Sequence, residues 1–247
     1  MTSHTPSTAL EFDHLVVMMR DELTQHTPAL EADGYFLTPL SVHNLGSMNR
    51  LITLDSTYIE LLGWPSGQKQ ERQEIANQPL GLDALVFRSY DAHADHARLL
   101  HAGFKVNPVQ HLERDMTLHG APCTARFETL RFAEQPVEGI RMYFCQHLTP
   151  ELVWDAGFMN HANGIHALRS IELWSPDAQK TAHTLAVLLN AQAESSGDDW
   201  IVALPNLTLN VIQRSDSHST RIQAATVCDR NGTVSEFNTH LPARTSK

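Results

Sequence analysis

Cysteine is scarce: the 247 residues hold three, Cys123, Cys145 and Cys228. They are dispersed, odd in number and in no Cys-x-x-Cys pair, which excludes a disulfide scaffold and a zinc ribbon. Long apolar runs are missing too, and no stretch approaches the roughly 20 residues that span a bilayer. Positive charge is in deficit, with 18 Lys and Arg against 28 Asp and Glu and a net charge of -10. Nucleic-acid binders need a basic face to displace phosphate counterions, and anionic membranes select for the same feature. Neither is an expected partner. The first ten residues are polar and lack the basic start and apolar core of a signal peptide, so the cytoplasm is the expected compartment. There is no Walker loop, no Gly-x-Gly-x-x-Gly between strand and helix, and no nucleophile elbow. Nucleotide-dependent and serine-hydrolase chemistry are therefore disfavoured.

What is present is a repeat and an excess of histidine, 15 residues in all. Phe12 to Met19 is a short apolar run that ends at Asp21, enters a helical stretch with Leu23 and Leu30 on one side, and closes at Gly34. Leu82 to Phe87 repeats the order, with Asp91, a helix through Ala94 and Leu100, and Gly103. Leu168 to Trp174 starts a third copy, with Asp177 and a helix over 178–190. Strands follow each helix: Asn49 to Leu54 and Thr57 to Leu62 in the first copy, Phe127 to Phe132 and Ile140 to Gln146 in the second. In the third, Trp200 to Leu204 and Leu207 to Ile212 flank Pro205-Asn206, and Arg221 to Cys228 and Val234 to Asn238 complete a sheet. The expectation is an α+β fold of βαβββ units whose curved mixed sheets surround an open cleft. Residues 1–10 form a tail, 11–160 hold two paired units, 161–240 a third and partly degenerate unit, and 241–247 a second tail. One unit is left over, which makes a homodimer through it the expectation.

Opening and last strands of such a unit line the cleft, because alternate strand residues face it. In the first copy they carry His14 and Glu60. A Glu in an apolar strand is costly to bury without a partner, and a cation shared with His14 would supply one. Read singly, His14 is also compatible with a hydrogen-bonded strand histidine, and Glu60 with the solvent face of an edge strand.

The Phe12-to-Val17 opening, His43-Asn44-Leu45-Gly46-Ser47-Met48-Asn49-Arg50-Leu51 and Tyr58-Ile59-Glu60-Leu61-Leu62 occur in that order. Together with weaker segments at Glu113-Arg114-Asp115, Tyr143 to Gln146 and His161 to Gly164, the chain resembles glyoxalase-like proteins of the vicinal-oxygen-chelate superfamily. The resemblance implies a metal-dependent lyase, isomerase or dioxygenase acting on a small oxygenated molecule. It places His14 and Glu60 at the first unit's ligand positions, Ala84 at the second unit's opening position and Gln146 at its last-strand position. In the third unit it puts Ser170 at the place of His14 and Asn210 near that of Glu60. A His14, Glu60 and Gln146 set is compatible with Fe, Mn, Ni or Zn. A metal-free protein that sequesters a small molecule is the alternative, motivated by Ala84 and Ser170.

Beside these, Glu60 and His43 are the acid/base candidates, and Asn49 and Arg114 the candidates for contacting substrate, Arg114 as a carboxylate clamp. His43 and Asn49 are also compatible with a polar turn, and Arg114 with a surface ion pair. His147 ranks as a spare ligand facing away from Gln146, and Cys145 as a buried strand cysteine.

Overall fold

In the computed structural model, which describes residues 9–43, 46–70 and 72–241, the repeat is laid out as three βαβββ units. The first comprises β1 (Phe12–Arg20), α1 (Leu23–Ala32), β2 (Ser41–His43), β3 (Met48–Thr53) and β4 (Tyr58–Gly63). The single turn α2 (Gln73–Ala76) precedes the second: β5 (Gly81–Arg88), α3 (Ala92–His101), β6 (Gln110–Leu118), β7 (Ala121–Arg131) and β8 (Arg141–His147). The third has β9 (Ile165–Ser175), α4 (Ala178–Leu189), β10 (Ala193–Ser196), β11 (Asp199–Ala203) and β12 (Thr208–Gln213). A pair, β13 (Arg221–Asp229) and β14 (Val234–Glu236), follows it.

The Asp that recurs after the opening strand is a helix cap in two copies. Asp91 accepts from the Ala94 N–H and Asp177 from the Lys180 N–H, both at 2.9 Å, satisfying donors the first helical turn leaves free. A glutamine from the last strand completes each cap: Gln146 accepts from Ala92 N–H at 2.8 Å and Gln213 from Ala178 N–H at 2.9 Å. In the first copy Glu22 occupies the cap position, but its side chain bonds His26 and not the helix backbone.

The first two units form one barrel in the order β1-β4-β3-β2-β6-β7-β8-β5, with β5 returning to β1. β1 and β5 run antiparallel with His14 opposite Val86 and Val16 opposite Ala84. A two-fold between them therefore carries His14 onto Ala84. Parallel β4 sets Tyr58 beside His14, and parallel β8 sets Arg141 beside Ala84, so the same two-fold carries Glu60 onto Tyr143. Across the far side, the expected open cleft is closed by a short seam, Val42 opposite Asp115 and His43 opposite Arg114. Side chains alternate between two cores: Val16, Met18, Ala84, Val86 and Cys145 fill the interior, while Leu15, Val17, Leu85 and Phe144 pack outward.

The apolar pattern marks no strand over 110–118 and starts the next at Phe127. The structure has a long β6–β7 hairpin instead, Leu118 pairing with Ala121. His119 and Gly120 both take positive φ, 50° and 81°, the two-residue turn that matches strand twist. Gly63 has a steric role, since a Cβ there would lie 2.3 Å from the Arg20 carbonyl oxygen where β4 meets the end of β1.

The third unit and the terminal pair form a separate six-stranded sheet, β10-β11-β12-β9-β13-β14. Asn206, in the turn before β12, ties it to the barrel by bonding both the N–H and the carbonyl of Phe12 at 2.9 Å. Among the described residues no helix is long and apolar enough to cross a membrane.

Candidate active site inside the barrel

The ladder between β1 and β5 slips by one residue at Asp13. Such a bulge re-aims side chains, and here Asp13 and His14 both turn inward. The Asp13 carboxylate is fully buried and accepts three bonds: from His14 Nδ1 at 2.7 Å, His147 Nε2 at 2.8 Å and Arg88 Nε at 2.9 Å. Burial alone would raise its pKa, but the His147 charge and the hydrogen bonds from both histidines hold it well below the ordinary carboxylate range. With Nδ1–H committed to Asp13, His14 presents the Nε2 lone pair to the cavity. That geometry matches the carboxylate–histidine support found behind metal-ligating imidazoles.

Facing Nε2 are the Tyr143 hydroxyl at 3.1 Å and Glu60 Oε2 at 3.7 Å. The Tyr58 ring stacks on the imidazole with centroids 4.3 Å apart, fixing its plane. Burial pushes the Tyr143 and Tyr58 hydroxyls up in pKa, so both keep their protons near neutrality. On the far side of Glu60, Asn49 donates from Nδ2 to Oε1 at 2.6 Å, and its own oxygen accepts from Arg114 at 3.1 Å. Arg114 is 3% exposed, and burial lowers its pKa. Among the described residues its Nε has no partner, an uncommon state for a buried donor. A cavity of about 60 Å³ runs between these groups. It adjoins a surface groove of about 700 Å³ along β2 and β6 through Leu51 and Arg114.

The structure thus brings together His14, Glu60, Asn49 and Arg114. Gln146 is not among them. It lies on the outward side of β8, where its side chain caps α3, three residues from the position that faces Glu60. An odd offset in a strand moves a residue to the opposite face. Tyr143 occupies that inward place. The backbone of His43 sits opposite Arg114 at the seam, but its side chain lies outside the described residues. His147, read as a spare ligand, faces inward and bonds Asp13 instead. Cys145 is buried, its thiol pushed up in pKa chiefly by desolvation. Asp13, Cys145 and His147 also bring three possible ligand atoms within 4.8 Å of one another. Asp13 is already engaged by three donors, one of them the Arg88 guanidinium, so this group reads as a support and not as a cation site. Asp13, Tyr143 and Tyr58 were not singled out from the sequence. The Asp before the strand histidine was the one available signal, and its inward turn depends on a bulge that sequence does not announce.

A family model described as a glyoxalase-like domain matches residues 12–189. Among solved structures, a hypothetical protein from Staphylococcus aureus is similar at a TM-score of 0.74 and 15% identity, over 93% of this chain and 99% of that one. A mutant 4-hydroxymandelate synthase from Streptomyces coelicolor is similar at 0.56 and 12%, over 90% of this chain and 71% of that one. At these identities the structural matches speak for the fold. No curated protein matches in sequence.

Proposed function

Because the chain belongs to the glyoxalase-like domain family, of the vicinal-oxygen-chelate superfamily, we propose that it is a metal-assisted enzyme acting on a small oxygenated molecule, as a lyase, isomerase or dioxygenase. The observation that carries this reading is the Asp13-oriented His14 whose Nε2 faces Glu60 Oε2 at 3.7 Å. Two ligand bonds of about 2.1 Å at a tetrahedral angle put their donor atoms roughly 3.4 Å apart, so the pair needs little adjustment to share a cation. His14 and Glu60 are the proposed ligands, with the Tyr143 hydroxyl beside them. Nitrogen plus oxygen donors suit Fe, Mn, Ni or Zn. When bound, the ion would polarise substrate oxygens as a Lewis acid.

The chain's own residues divide the remaining work. Asp13 holds the imidazole in the tautomer that leaves Nε2 available. Asn49 donates to Oε1 of Glu60, and Oε2 is the oxygen that faces His14 Nε2. Glu60 is the one carboxylate among the described cavity residues, and hence the group proposed to take or return a proton. Tyr143, protonated, donates a hydrogen bond to His14 or to a substrate oxygen that displaces it. Arg114 is positioned by Asn49, and its unpartnered Nε–H is proposed to meet a substrate oxygen.

The test is metal content of protein purified without a metal-binding tag, for wild type, His14→Ala and Glu60→Gln. Stoichiometric transition metal in wild type, lost in both variants, is expected. Full metal content in the variants refutes the ligand assignment. A metal-free binding role is the second reading, favoured by Ala84 at the place the two-fold relates to His14. It predicts ligand-induced thermal stabilisation that EDTA leaves unchanged.

A further inference from the structure

Charge around the inner cavity is lopsided in a direction opposite to that of the chain. Its described lining holds four guanidinium groups, Arg72, Arg114, Arg131 and Arg141, against the single carboxylate of Glu60, in a protein of net charge -10. Arg114 is coupled to Glu60 through Asn49, which leaves three cations at the other end. Arg72 Nε and Arg131 Nη1 share one oxygen, Glu74 Oε1, at 2.9 and 3.0 Å. That carboxylate is itself 43% exposed, so water already satisfies much of it. Arg141 pairs with buried Asp83, Nε to Oδ2 at 3.0 Å. Among the described residues, three guanidiniums facing two carboxylates leave one positive charge over. The strain falls on Arg131, whose pKa is lowered by burial and by the neighbouring Arg72 charge.

The surplus charge is close to the reacting groups. Arg131 and Arg141 lie over the Tyr143 ring at 5.9 and 5.5 Å, and the Tyr143 hydroxyl touches His14. The same two arginines also line an outer hollow of about 280 Å³ with Asn107 and Gln110. Arg131, Arg141 and Tyr143 thus form a wall common to the outer hollow and the inner cavity, with Glu74 also on the outer side. A planar fork of N–H donors matches an oxyanion's paired oxygens.

We propose that Arg131, flanked by Arg72 and Arg141, is a recognition subsite for an oxyanion group of the substrate, a carboxylate or a phosphate. This rests on the reading of the barrel interior as a substrate site and adds the class of molecule it takes: a small anion that enters past Arg131 and reaches Tyr143, His14 and Glu60.

The experiment measures binding of malonate, inorganic phosphate and neutral malonamide by thermal shift and calorimetry at matched ionic strength. It uses wild type with and without EDTA, His14→Ala, Arg131→Gln, and Arg126→Gln as an exposed control on the same strand. Malonate or phosphate should bind wild type and the control, with EDTA or without it, and the tighter of the two identifies the group. Arg131→Gln should weaken that binding about ten-fold or more, and malonamide should not bind. Arg131→Gln that unfolds on purification is replaced by Arg131→Lys, which keeps the charge without the fork and should weaken binding less. Equal binding of malonamide, equal affinity in Arg131→Gln and wild type, or no anion binding overturns the proposal. Binding abolished by EDTA and by His14→Ala but untouched in Arg131→Gln also overturns it, while leaving the metal reading intact. Arg131-dependent binding to a protein without metal supports the subsite and separates it from that reading.

Discussion

Replacing Asp13 with Asn tests whether the buried carboxylate organises the site. Asn keeps the shape but removes the charge and one acceptor. If its oxygen takes the place of Oδ2, both histidines keep a partner while the amide faces the Arg88 N–H, donor against donor. In the other rotamer Arg88 is satisfied and both histidines lose their acceptor. Removing one partner from a buried, hydrogen-bonded ionic group costs about 3–5 kcal/mol. Arg88 retains Glu11 at 3.2 Å and the Ser56 carbonyl at 2.7 Å, which places the expectation near the lower end, about 3 kcal/mol. For a chain of this length that is a fall in Tm of about 6–12 °C. Urea denaturation and calorimetry measure it, and Arg88→Met in the same background should be less than additive. A loss below about 1 kcal/mol, with additive Arg88→Met, would refute the view that Asp13 anchors the network. Where metal is bound, the same variant should also weaken it about 10- to 100-fold, because the imidazole loses its orienting partner.

Gln146→Ala should leave metal content unchanged and lower stability by about 1 kcal/mol through loss of the α3 cap bond, checked by elemental analysis and denaturation on the same sample. Glu60→Gln should remove the charge that faces His14 while keeping the Asn49 contact, so retained folding with lost metal is expected by circular dichroism and elemental analysis. His161 predicts a pH effect. It is buried, donates from Nε2 to the Thr53 carbonyl and accepts the Phe36 N–H at Nδ1, at 2.8 and 2.9 Å. Desolvation lowers its pKa, with the Thr53 bond opposing and the Arg230 charge assisting. A folded pKa below the unfolded value of about 6.5 means its contribution is present above pH 6.5. That contribution is lost, at up to about 1.4 kcal/mol per pH unit, as pH falls toward the folded pKa. His161→Gln should flatten this part of the stability profile between pH 7 and 5, and an unchanged slope would count against the assignment.

The unit order was legible because its signals are local. Apolar openings at Phe12, Leu82 and Leu168 and helix-closing glycines at Gly34 and Gly103 can be read without knowing what packs where. The caps at Asp91 and Asp177 belong to the same class. His14 and Glu60 were legible as ionisable groups in apolar strands, whereas Asn49 and Arg114 came with the segments that resemble the family, one as an amide beside a Gly46 loop and the other as a guanidinium able to clamp a carboxylate. The β6–β7 hairpin escaped notice because Gln110 to Leu118 is rich in charge and polar residues, its strand character coming from cross-strand pairing and not from composition. The exchange of Gln146 for Tyr143 has a similar origin. Which residue of β8 sits beside Ala84 is set by pairing across the barrel, and counting along the strand cannot supply that register. The role of Asp13 depends on a bulge, and that of Arg131 on where the one-turn helix α2 places Glu74.

The two-fold that relates β1 and β4 to β5 and β8 bears on stereochemistry. Two identical halves would offer the same donors to either face of a flat, prochiral molecule, and it could bind in two equivalent ways. Here imidazole is answered by the methyl of Ala84, and carboxylate by the phenol of Tyr143. At these two related positions one side offers an imidazole and a carboxylate, and the other a methyl and a phenol hydroxyl. A molecule lying between them meets two unlike walls, so the interior is handed at the level of single functional groups and favours chemistry on one face over the other.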